Sequence, residues 1–131
     1  MGMYTELVMA IELKNDTPHD VLSIVNYMCE GDEEIINDVE IPDHALFKTS
    51  RWDFMLRSDS YYFDGTTNSF LNVDYLYPDK PSYYLNIRCN LKNYDDEIEK
   101  FIDWITLYSD TKGFIGYKRY ETEEEPTLIN I

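Results

Sequence analysis

Nine residues, Tyr83 to Leu91, alternate without a break. Tyr83, Leu85, Ile87, Cys89 and Leu91 fall on one side, and Tyr84, Asn86, Arg88 and Asn90 on the other. A period of two places successive side chains on opposite faces of an extended chain, so this segment reads as a strand with one buried face. Leu71, Val73, Tyr75 and Tyr77 alternate in the same way across Ser69–Tyr77. Pro78-Asp79-Lys80-Pro81 lies between the two runs and supplies a turn, which makes them a hairpin.

The same period runs through Thr5–Leu13, with Thr5, Leu7, Met9, Ile11 and Leu13 facing one way and Glu6, Val8, Ala10 and Glu12 the other. Val21, Leu22, Val25 and Met28 then recur at helical spacing. Thr17 is placed to cap that helix, Pro18 suits its first position, Asp20 meets its dipole and Gly31 stops it. A second helix is expected from Tyr94, Ile98, Phe101, Ile102 and Ile105, with Asn93 as cap and Asp95, Asp96 and Glu97 in its first turn. Phe114–Glu121 reads as a further strand, and Pro126–Ile131 as a short strand or tail. Residues 32–68 form an insertion, acidic and then aromatic. It is expected to hold a short strand around Tyr61–Phe63 and a helical turn near Asp43–Phe47.

The resulting order, β-α-(insertion)-β-β-α-β, predicts an α+β protein of ferredoxin-like, split βαβ type. Its two helices would cover one face of an antiparallel sheet. A chain of 131 residues is read as a single domain, 1–131. The opposite sheet face would carry Glu6, Glu12, Asn72, Asp74, Asn86 and Arg88, and is expected to be solvated or used for binding. Such a fold hosts many functions and selects none.

Charge narrows the partners. The chain has 26 acids against 11 Lys and Arg, a formal charge of −15. Direct binding to nucleic acid or to an anionic membrane needs a positive footprint, so neither is expected. Nor is there a run near the ~18 apolar residues of a membrane span. Met1 to Glu6 lack the basic-then-apolar pattern of a secretory signal, and Glu6 stands where a myristoylation signal at Gly2 wants Ser or Thr. A cytoplasmic location is the expectation. Cys29 and Cys89 fall on apolar faces and read as buried free thiols.

Candidate chemistry is sparse. His19 sits in a first helical turn among acids that the dipole explains. His44, with Asp43 and Glu40, makes a poor transition-metal signature. Asp59–Gly65 places Tyr61 and Phe63 where a calcium loop needs oxygen donors. The sequence has no glycine-rich phosphate loop, nucleophile elbow or Cys–His signature. No catalytic residue, metal or cofactor is assigned, and a non-enzyme is expected. Glu6, Glu12, Asp74 and Arg88 read as a polar sheet face; a metal-dependent enzyme using those carboxylates is the alternative.

The distribution of acids is more informative. Glu30, Asp32, Glu33, Glu34, Asp38, Glu40 and Asp43 crowd into one stretch, and Glu121, Glu123, Glu124 and Glu125 form a second cluster. Clustered charge steers a partner with a basic surface. Trp52, Tyr61 and Tyr62 in the same insertion would supply buried anchors. These aromatics also read as core beneath the insertion, and both readings stand. The acids equally suggest a mimic of nucleic acid. Duplex DNA carries about one charge per 1.7 Å, so fifteen charges match only ~25 Å of it, and only if they share one surface.

The chain resembles small proteins of unassigned activity encoded by phages and prophages of Gram-positive bacteria. The resemblance rests on Tyr4-Thr5-Glu6-Leu7, on Arg51-Trp52 before Tyr61-Tyr62-Phe63, and on Asn93-Tyr94. It continues through Ile98 to Ile105, Phe114-Ile115-Gly116-Tyr117, Tyr120-Glu121 and Pro126-Thr127-Leu128-Ile129. It implies an accessory role, including inhibition of a host enzyme or defence system. The expected function is therefore non-catalytic binding of another protein. Self-association through a sheet edge, giving a homodimer, is compatible with every reading.

Overall fold

The computed structural model describes residues 3–131. The alternating segments become strands β1 (Thr5–Leu13), β2 (Phe70–Asp74), β3 (Ser82–Leu91) and β4 (Phe114–Tyr120), joined by a short β5 (Thr127–Asn130). Helices α1 (His19–Glu30) and α2 (Glu97–Ile105) follow β1 and β3 in the chain. All neighbouring strands are antiparallel, in the order β2-β3-β1-β4-β5. The protein is thus α+β, with a five-stranded antiparallel sheet and two helices.

The strand register follows from the apolar pattern. Leu7 lies opposite Cys89, Met9 opposite Ile87 and Ile11 opposite Leu85. These side chains form one buried cluster with Val21, Ile24, Val25 and Met28 of α1 and with Ile98, Phe101, Trp104 and Ile105 of α2. Each such burial contributes about 1.5–3 kcal/mol before entropy is counted. A slip of one residue would turn all of these positions outward, which is why the register is firm.

Helix entries depart from expectation in detail. Pro18 occupies the N-cap of α1 rather than its first turn. Buried Thr17 does not cap: its hydroxyl donates to the Lys14 carbonyl at 2.6 Å and shapes the preceding turn. At α2 the carboxamide oxygen of Asn93 does accept a helix N–H, that of Ile98 at 2.8 Å, but from outside the helix. Asp96 fills the N-cap itself, with φ of 56°.

The long connection between α1 and β2 is built from 3-10 turns at Glu33–Ile36, Ala45–Lys48 and Met55–Arg57. The middle one answers the helical turn expected near Asp43–Phe47, and the His44 ring caps it by accepting from Leu46 N–H. That leaves Nε2 of His44 to donate to Asp103 of α2 at 2.9 Å. Leu46, Met55 and Leu56 are fully buried. An aromatic row crosses from α1 to α2 through this connection. Tyr27 contacts Trp52, Trp52 contacts Phe47, and Phe47 meets Trp104 edge-on with centroids 5.0 Å apart.

Tyr61–Phe63 is a turn, not a strand. Its backbone is served by local side chains: Asp59 accepts from Ser60 N–H, and the Ser60 hydroxyl oxygen from Tyr62 N–H. Such local bonds replace a strand ladder. Among the described residues, no helix is long and apolar enough to cross a membrane.

Candidate functional site

The outer face of the sheet, away from the helices, divides into two halves. One half lies under the loop 59–67. Ser58 and Asn68 are the two feet of this loop, and both bond to the backbone of β3: Asn90 N–H donates to the Ser58 carbonyl, and Asn68 and Arg88 exchange both their N–H bonds. Between the feet, the Arg88 guanidinium donates to the Asp64 carbonyl at 2.8 Å. Gly65, at φ 90°, rests on that guanidinium; an added Cβ would come within 2.9 Å of it. Phe63 is buried, with the Arg119 guanidinium over its ring at 5.2 Å.

Glu6 is placed on this face as expected, but it is not solvated: it is 3 % exposed. Its two carboxylate oxygens lie 3.5 Å from Arg119 and 3.7 Å from Arg88. The loop and the neighbouring strands bury the carboxylate, while the Arg88 and Arg119 side chains that flank it stay part-exposed. Arg88 and Glu12 are half-buried, while Asp74 is exposed on the edge strand β2. Glu6 and Glu12 are six residues apart on one strand, about 20 Å. The expected sheet-face carboxylates therefore do not converge. Among the described residues, no group of three or more His, Cys, Asp or Glu is arranged to hold a metal ion.

The other half of the face is open, with apolar side chains around Asn86, which lies between Ala10 and Phe70, and with Asn68 and Arg88 also lining it. Val8 and Ala10 form the floor of a groove of about 470 Å³. Phe70 stands on one side, and Phe114 and Tyr117 on the other. Phe70 is 44 % exposed and Phe114 59 %. Phe114 reaches this face because of a bulge in β4 between Phe114 and Gly116. Residues three apart on a regular strand face opposite ways; the extra residue puts Phe114 and Tyr117 on the same side. Gly116 permits the close approach to β1: a Cβ there would lie 2.0 Å from the Val8 carbonyl oxygen.

Sequence reasoning missed this groove. Two signals pointed to it. Val8 and Ala10 are apolar on the supposedly polar side of β1, and an isolated glycine inside a strand marks a bulge or a close backbone approach.

All seven acids from Glu30 to Asp43 are exposed. Among the described residues Asp43 alone of these has a salt-bridge partner, Lys48 at 3.1 Å. Trp52 is half-buried in the aromatic row described above. Tyr61 and Tyr62 are exposed and stacked, centroids 4.6 Å apart, and Tyr62 also contacts Tyr4. The hydrogen bond between their hydroxyls, with Coulombic help from Glu121, pushes the Tyr62 phenol up to about 12. These two tyrosines therefore stand beside the second acidic cluster, at the end of the sheet where β1 begins.

Net charge is segregated. The five strands hold three acids (Glu6, Glu12, Asp74) and three bases (Arg88, Lys118, Arg119). The whole formal charge of −15 thus resides in the helices and connections. No protein-family model, no curated protein and no solved structure matches the chain.

Proposed function

We propose that this chain is a non-catalytic accessory protein of the phage and prophage type, ferredoxin-like with β5 added at the β4 edge and a long insertion after α1. It works in the cytoplasm by binding another protein that presents a basic surface. The observation that carries this reading is the exposed, almost unpaired acidic run from Glu30 to Asp43 on a molecule whose sheet is neutral. Focused negative charge accelerates encounter with a basic surface and selects against acidic ones. The stacked pair Tyr61 and Tyr62 offers rigid aromatic area beside Glu121. Inhibition of a host enzyme or defence system is the role that fits the phage-type resemblance.

Affinity capture from a Gram-positive lysate, at low and high salt, tests it. The bait is compared with a double variant, Glu33→Lys with Glu34→Lys, at two exposed acids. One stoichiometric basic partner should be retained by the natural chain and lost by the variant. Equal retention by both would overturn the acidic run as the binding surface.

The crowding of acids at Glu30–Asp43 and at Glu121–Glu125 also supports a second reading, the nucleic-acid mimic, which requires that they share one surface. There the captured partner is itself a nucleic-acid-binding protein. Its own DNA or RNA would release it competitively, and added salt would weaken the complex steeply.

A further inference from the structure

We infer that the connection between β2 and β3, residues 75–81, is an aromatic finger that enters an apolar cleft of a partner protein with a basic rim. The inference rests on the protein-binding reading above and names the anchor of that interaction. Tyr75, Leu76 and Tyr77 are consecutive and 66 %, 75 % and 69 % exposed. None of the three packs into the core cluster. A single exposed apolar residue is ordinary on a protein surface, but three in a row at one tip form a contiguous patch of the kind that meets another molecule. Their position makes the patch convex. Asp74 opposite Ser82 is the last pair of β2 with β3, and Leu13 opposite Tyr83 the last of β1 with β3. The connection therefore extends past the paired end of the sheet, where a concave partner fits it.

The finger is ordered from within. The Asp74 carboxylate accepts from Leu76 N–H at 2.9 Å, and Lys80 N–H donates to the Tyr77 carbonyl at 2.9 Å. Pro78 presets the backbone angle of that second turn. These local bonds hold the tip without help from the core, so little ordering is left to be done on binding. Tyrosines presented in this way are the commonest kind of interface anchor. Charge selects the occupant. A depression beside Tyr77 is lined by Glu12, Asp16 and Asp110 and by Lys14 and Lys80, and Asp74 and Asp79 adjoin the tip in the chain. Five acids against two bases thus surround the apolar tip. An anionic membrane, a nucleic acid or a second copy of this chain, at −15, is repelled there. A protein cleft with a basic rim matches the tip and its acidic collar together.

The test titrates the partner retained from a Gram-positive lysate, once purified, against the natural chain and two finger variants. Tyr75→Ser with Tyr77→Ser is the first and Leu76→Ser alone the second; both change only exposed side chains, and thermal melts check that they fold. Each should weaken the complex at least about tenfold. The loss should persist at high salt, because apolar contact is removed and not charge. Chymotrypsin should cut the free chain after Tyr75 or Leu76 and spare both bonds in the complex. Finger variants that bind as tightly as the natural chain would overturn the inference and leave the protein-binding reading standing. A natural chain that retains no partner would overturn both. Flotation of the chain with neutral lipid vesicles, or self-association that the finger variants abolish, would overturn the inference by giving the finger another occupant.

Discussion

The same strands carry two unlike halves on one face. Where loop 59–67 lies, a buried carboxylate sits between two part-exposed guanidiniums, one of them over the ring of buried Phe63. A few residues along the same strands, Val8, Ala10 and Phe70 line an open groove. In one half a carboxylate is buried, and in the other the rings of Phe70 and Phe114 are exposed. What differs is cover. The chain supplies a lid over Glu6 and none over Ala10. The buried Glu6 carboxylate has two guanidiniums within ion-pair distance, though its Oε1 and Arg119 Nε lack hydrogen-bond partners, whereas an apolar groove gains only when something else covers it.

Gly116→Ala is the largest blow to this arrangement. Its Cβ must displace the β1 backbone, since the opposing atom is the Val8 carbonyl oxygen. A loss of about 3 kcal/mol or more is expected from the urea midpoint. A smaller loss would mean that β4 shifts and carries Phe114 away from the groove. Next comes a matched pair on the two halves. Phe63→Ala removes a buried ring from the lid and should cost about 3 kcal/mol. Phe114→Ala removes an exposed ring and should change monomer stability by less than about 0.5 kcal/mol. Equal costs would erase the distinction between the halves.

The inner side of these strands gives the third test. Burial pushes the Cys29 thiol up to about 12, and burial likewise raises Cys89. The unfolded thiols ionise near 9, so above that pH the unfolded chain binds fewer protons than the folded one. Stability is thus intact below pH 9 and falls as pH rises towards 12. The slope is about 1.4 kcal/mol per pH unit for each thiol. Urea midpoints at pH 8 and pH 10 measure it. An alkylating reagent at pH 8 should leave both thiols unlabelled until denaturant is added; rapid native labelling would place one of them at an open surface.

Much of the core was legible because alternation and helical spacing report one-dimensional facts. Leu7, Met9, Leu85 and Ile87 had to share a face, and the structure buries them together. The exposure of the acids from Glu30 to Asp43 was legible too, since ionised side chains stay hydrated unless paired. Illegible were the burial of Glu6 and the role of the insertion. Nothing in the spacing of Glu6, Arg88 and Arg119 says that they meet, because they lie on three strands. Trp52 illustrates the same limit. Its type suited either core or interface, and its contacts with Tyr27 and Phe47 exist only once the connection runs between the helices.

The sequence by itself determined which residues alternate, which recur at helical spacing, and that acids crowd between Glu30 and Asp43. These are properties of neighbours along a chain, set by backbone geometry and hydration. Tertiary structure alone decided that Glu6 would be covered and Ala10 left bare. That choice depends on where loop 59–67 crosses the sheet and on one bulge in β4. Both are contacts between distant residues, and their free energy exists only after the sheet has formed.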